Sequence, residues 1–168
     1  MKAILKPGIL LAAAATTIVL IAHSQTAAVT NSAPNQAEKA VLARLNEIQT
    51  AAEAFDAEKV FSFVTENNAG CIAQNGKVFF TRAEALESTR QGLESVHNSG
   101  GRIEYHFDQQ QVTFLSPSIA LAVGEGSTSV TLGDGRVVKT PFAQSVVCVF
   151  TNGDWKVFHA HRSFVPSK

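Results

Sequence analysis

Near the end of this chain the run Trp155-Lys156-Val157-Phe158-His159-Ala160-His161-Arg162-Ser163 places two imidazoles two residues apart, with a guanidinium directly after them. On an extended strand alternate side chains share a face, so His159 and His161 point one way and Arg162 the other. Paired histidines can move protons near neutral pH or bind a metal. Spacing supplies no third ligand, so no metal site is expected. The imidazoles could equally hydrogen-bond across a sheet or at a subunit contact. An inward-facing Arg162 must meet an anion, and Glu125 or a ligand carboxylate would serve.

Three further polar residues sit in apolar rows. Glu125 ends the alternation Ile119, Leu121, Val123. It is either a pocket carboxylate or a rim residue that meets water. Gln144 interrupts the row Val138, Phe142, Val146, Cys148, Phe150; its amide could hold a ligand or satisfy a neighbouring backbone group. Tyr105 shares a strand face with Ile103 and Phe107. Two chemistries follow. Arg162, Gln144 and Glu125 could orient a small, partly apolar molecule within a wall that includes Phe142 and Val123. Alternatively, in an isomerase, dehydratase or epoxide hydrolase-like enzyme, Glu125, His159 or His161 could act as a general base, with Arg162, Tyr105 or Gln144 steadying negative charge; a further reading is an oligomeric assembly module without catalysis. No nucleophile elbow, phosphate-binding glycine loop or H-E-x-x-H run occurs, and no cofactor is expected. Gly124-Glu125-Gly126 and Gly133-Asp134-Gly135 read as strand or turn glycines.

The elements that must position these residues are legible in period and punctuation. Val41, Leu45, Ile48, Ala52 and Phe55 recur in steps of three and four, predicting a helix over 36–55. Asp56 caps a shorter second helix reaching about Val64. Asn75-Gly76 joins Cys71-Ile72-Ala73 to Val78-Phe79-Phe80 in a hairpin. Thr81-Arg82-Ala83-Glu84 forms a capping box for a third helix to about Val96. Four long strands follow. The first changes phase after Gln109-Gln110-Gln111, where Val112 and Phe114 become the apolar set, and a bulge would account for that. Helices first and strands afterwards indicate an α+β domain over 36–168, a curved antiparallel sheet wrapped around three N-terminal helices into a cone. Such hollows hold small ligands.

The remaining sequence bears on destination. Lys2 and Lys6 precede an uncharged, mainly apolar run from Ile9 to Ala22, then small residues. This order reads as a secretory signal with its cleavage region over 1–28, followed by a loose leader over 29–35. The run is shorter than the ~20 residues of a membrane-crossing helix, so no membrane association is expected after cleavage, and the protein is periplasmic or secreted. Cleavage leaves 12 of the 14 basic side chains against 14 acidic ones. Without a basic stripe, nucleic acid is not an expected partner. Cys71 and Cys148 could pair after export or remain buried thiols.

The layout resembles the nuclear transport factor 2-like superfamily, within its SnoaL-like branch, over about Gln36 to Lys168. The segment from Trp155 to Ser163 is similar to the W-x-x-x-H-x-H-R-S ending of the association domain of calcium/calmodulin-dependent protein kinase II, and Ala143-Gln144-Ser145 to an A-Q-S of that domain. The resemblance implies a homodimer or larger ring built through the sheet, with a pocket in each cone lined by Arg162. Two further pocket arginines of that domain have no counterpart, since their strands offer Val123 or Glu125 and Val146 or Cys148. Ketosteroid isomerases and scytalone dehydratase-like enzymes of the superfamily share only residue types with Tyr105, Asp108, Glu125 and the histidines.

Overall fold

The computed structural model describes residues 35–66 and 72–164. Helix α1 (Gln36–Glu53) starts at Asn35, whose side chain accepts the Glu38 N–H at 2.8 Å. It stops two residues before the apolar period does. Phe55 takes φ = +62°, and the Asp56 and Phe55 amides return to the Ala51 and Ala52 carbonyls at 2.9 and 3.0 Å. This pairing closes a helix end with a left-handed residue, a place glycine usually takes.

Helix α2 (Ala57–Ser62) is capped by Asp56, as the sequence predicts. It ends before Val64 because the next backbone is claimed by the sheet. The Val157 N–H donates to the Phe63 carbonyl at 2.8 Å, and the Thr65 N–H to the Val157 carbonyl at 3.0 Å. Strands β1 (Ile72–Gln74) and β2 (Lys77–Phe79) form the short hairpin, with Asn75 and Gly76 at φ = 53° and 77°. Helix α3 (Arg82–Asn98) carries both halves of the Thr81–Glu84 capping box.

Strands β3 (Arg102–Ser116), β4 (Ile119–Thr131), β5 (Val137–Thr151) and β6 (Asp154–Phe164) complete a six-stranded curved sheet in the order β2-β1-β6-β5-β4-β3. All neighbours run antiparallel except β1 and β6, which are parallel. The concave face meets the helices in one core, where Val41, Leu45, Phe61, Leu93, Val146 and Trp155 are buried. Full burial of side chains of this size is worth roughly 1.5–3 kcal/mol each. The Gln49 amide and the Tyr105 N–H both donate to Glu53 Oε1, and Gln49 also donates to the Tyr105 carbonyl, so one carboxylate fastens α1 to β3.

Of three register shifts in the described sheet, one of them between Phe114 and Ser116 at the end of β3, two set which side chains face inward along the cavity. In β3 the register slips between Phe107 and Gln109, leaving Asp108 unpaired. This is the phase change read from the sequence, placed one residue before the glutamine run. In β6 the slip falls between the Val147↔His159 and Cys148↔Val157 pairs, leaving Phe158 over. Trp155 and Val157 therefore share the concave side with Ala160, Arg162 and Phe164, although simple alternation separates them.

The signal region, the leader up to residue 34 and Cys71 lie outside the described residues. Cys148 is a free, fully buried thiol.

Candidate functional site

The sheet and the three helices enclose a cavity of about 600 Å³. Strand register resolves the concave face of the sheet, part of which lines this cavity, into transverse rungs. At the deep end Val157, Cys148, Ala120 and Phe114 lie side by side. The next rung, Phe79-Ile72-Ala160-Val146-Ala122-Val112, is also wholly apolar. Then comes a polar rung, Lys77-Gln74-Arg162-Gln144-Gly124-Gln110, which crosses all six strands. Beyond it Phe164, Phe142, Gly126 and Phe107 form an aromatic rung.

Arg162 is the centre of the polar rung. Its Nη2 and Nε donate to Gln144 Oε1 at 2.6 and 3.2 Å. Its guanidinium carbon lies 4.7 Å from the Phe142 ring centre and 5.2 Å from that of Tyr105. Cation–π contact and a neutral amide fix the group's plane without neutralising it. Two of its five N–H donors are spent on Gln144, which leaves three. Among the described residues no Asp or Glu lines the cavity. The group is thus a half-buried cation, oriented and electrostatically unpaired, in a hollow walled mostly by apolar side chains.

The rest of the expected set divides by face. Tyr105, Gln144 and Arg162 line the cavity, and Phe142 packs beneath Arg162. Glu125 and Val123 do not line it. Both are exposed on the convex side, Val123 at 40%. The correction has a steric cause: β4 turns its small residues, Ala120, Ala122, Gly124 and Gly126, toward the helices and rings, and its bulkier ones outward. A Cβ on Gly126 would stand 2.0 Å from the His106 carbonyl oxygen, and one on Gly124 2.9 Å from that of Gln109. The alternation of Leu and Val in β4 marks the outer surface, and the interleaved small residues were the signal for the inner one.

His159 is half-buried on the convex side. His161, on the same side, is exposed and borders the cavity only beside Ala73 at the β1 edge. Neither imidazole shares a face with Arg162, so the base proposed from Glu125 or the histidines is not assembled with the guanidinium.

Sequence reasoning missed several lining residues. Gln49 from α1, Ser88 and Thr89 from α3, and Thr128 from β4 contribute polar atoms. Helical positions of this kind carry no period signal, because they border the hollow beside the core-facing stripe. Lys77 and Asn75 belong to the hairpin turn and carry no site signal in sequence; Lys77 Nζ lies 4.6 Å from the Phe79 ring centre, within cation–π reach.

The family model described as SnoaL-like domain matches residues 41–167. A search of curated proteins gives no match. Among solved structures, a candidate calcium/calmodulin-dependent protein kinase II association domain from Xanthomonas campestris is 15% identical, covering 80% of this chain and 91% of its own, with a TM-score of 0.65. A candidate dehydratase of the NTF2-like family from Streptomyces avermitilis is 19% identical over 77% of this chain and 96% of that one, with a TM-score of 0.64. A ketosteroid isomerase-like protein from Erwinia carotovora atroseptica is 15% identical over 80% and 100%, with a TM-score of 0.60. At these identities the likeness is one of fold.

Proposed function

Because the chain belongs to the SnoaL-like domain family, we propose that it is a small-molecule-binding protein whose cavity holds an amphipathic organic anion. The ligand's carboxylate meets Arg162, and its apolar body lies against the rungs of Val146 and Ala160. One observation carries the reading: a half-buried guanidinium, held by a neutral amide between two aromatic rings, in a hollow that no described acid lines. Removing a charge from water is costly unless an opposite charge compensates it, and an anionic ligand supplies that charge. The isomerase, dehydratase or hydrolase alternative needs a base at the ligand; Glu125 and His159 lie on the other side of the sheet, and His161 borders the cavity only at the β1 edge.

We also read residues 1–28 as a cleaved export signal, and the convex sheet face as the surface of a homodimer or larger assembly, in keeping with the association-domain likeness. Intact mass of the periplasmic protein and its size in solution test these two points.

Octanoate is a suitable probe for the cavity. It should raise the melting temperature of wild type, since a ligand that binds only the folded state stabilises it by mass action. The shift should vanish in Arg162→Ala and persist in part in Arg162→Lys. Equal shifts in wild type and Arg162→Ala would overturn the assignment of Arg162 as the anchor.

A further inference from the structure

Resting on the reading above, we propose that the cavity selects a ligand with two acidic groups, one held by Arg162 and the second by Lys77 at the hairpin tip. The polar rung supplies the argument. Lys77 pairs with Gln74 across the hairpin, and Gln74 lies beside Arg162 in the parallel β1–β6 pair. Lys77 and Gln74 share the concave side with Phe79 and Ile72, two residues along each strand, and both line the cavity with Arg162. The two cations therefore stand on one line, two strand spacings or roughly 9.6 Å apart at the backbone. The side chains between and beside them, Gln74 and Gln144, are amides that can donate to carboxylate oxygens without adding charge.

The environments of the two cations differ. Arg162 is half-buried and tied to Gln144, whereas Lys77 is exposed and reaches back over the Phe79 ring. A ligand that seats one carboxylate on Arg162 and extends along the rung brings its second acid to Lys77, near the solvent margin. A monoacid satisfies Arg162 alone and leaves an apolar end beside an ammonium. The rung is flanked on one side by the apolar rung of Ile72 and Val146, so the methylene spacer of a diacid has a surface to cover. The asparagine at the tip is anchored as well, since the Asn75 N–H donates to the Arg162 carbonyl at 3.4 Å, which ties the hairpin to the strand that carries the first cation.

The test compares octanedioate with octanoate, which share a carbon skeleton, by calorimetric titration at low salt. In wild type the diacid should bind about tenfold more tightly, a modest gain for a partly exposed charge pair. In Lys77→Gln the ratio of the two affinities should fall to about one, and Lys77→Arg should restore it. Lys77 is exposed, and unchanged melting of the unliganded variants would show that the fold is intact. A ratio near one in wild type, or a diacid preference that survives Lys77→Gln, would overturn the role of Lys77 while leaving the Arg162 site standing. If neither acid binds wild type, both this inference and the anion-binding reading fail.

Discussion

Phe107 and Phe142 stand on strands that are not neighbours, yet their rings meet edge to face with centroids 5.2 Å apart. The strand between them carries Gly126 at the rung they share, and the absence of a side chain there lets the rings close over it. Phe142 is also the ring beneath Arg162. The glycine thus supports the platform on which the site's cation rests. Gly126→Ala should lower stability by about 3 kcal/mol, because the added carbon meets backbone rather than a movable side chain. Denaturant unfolding checks this; a loss below about 1 kcal/mol would mean that the strand shifts freely.

Gln144 is neutral, and its neutrality leaves Arg162 available to a ligand. Gln144→Glu places a carboxylate where an amide oxygen now accepts at 2.6 Å. The protein should then hold its own counter-ion. Octanoate binding should fall by at least tenfold, while the melting temperature of the unliganded protein rises or holds. Titration calorimetry and thermal melting report the two effects separately. Retained octanoate affinity would show that the anion is bound elsewhere.

Burial pushes the Cys148 thiol up to about 11 from its ordinary 9.0. A folded-state value above the unfolded one means that the folded chain holds this proton more tightly. The associated stability is complete below pH 9 and is lost as pH rises toward 11. The loss should be of order 2–3 kcal/mol and should be absent in Cys148→Ala. Unfolding curves at a series of pH values measure it. In the native state near neutral pH, Cys148 should resist thiol reagents until the chain unfolds.

The Thr81 hydroxyl accepts the Glu84 N–H at 3.2 Å, and the Glu84 carboxylate accepts the Thr81 N–H at the same distance. Thr81→Ala should cost about 1 kcal/mol. Helix α3 covers part of the cavity through Ser88, Thr89 and Leu93, so the loss should appear in unfolding curves and leave the diacid-to-monoacid affinity ratio unaltered. A change in that ratio would mean that the start of the helix itself contacts ligand.

Much of the architecture is written locally in this chain. The capping residues Asp56 and Thr81, the Asn75-Gly76 turn and the alternation of β3 each act within a few residues, so sequence alone determined three helices, a hairpin and four long strands in that order. It also singled out Arg162 and Gln144. What sequence could not decide is which face each strand turns inward. One extra residue at Asp108 or Phe158 reverses every side chain beyond it, and in β4 both faces carry apolar residues, so period alone favoured Val123 and Glu125. Only the tertiary structure, through steric exclusion at Gly126 and the pairing of distant strands, put the small residues of β4 inside and lined up Lys77, Gln74, Arg162 and Gln144. That line joins residues up to 88 positions apart in the chain, and hydrogen bonding between strands, not sequence proximity, makes it.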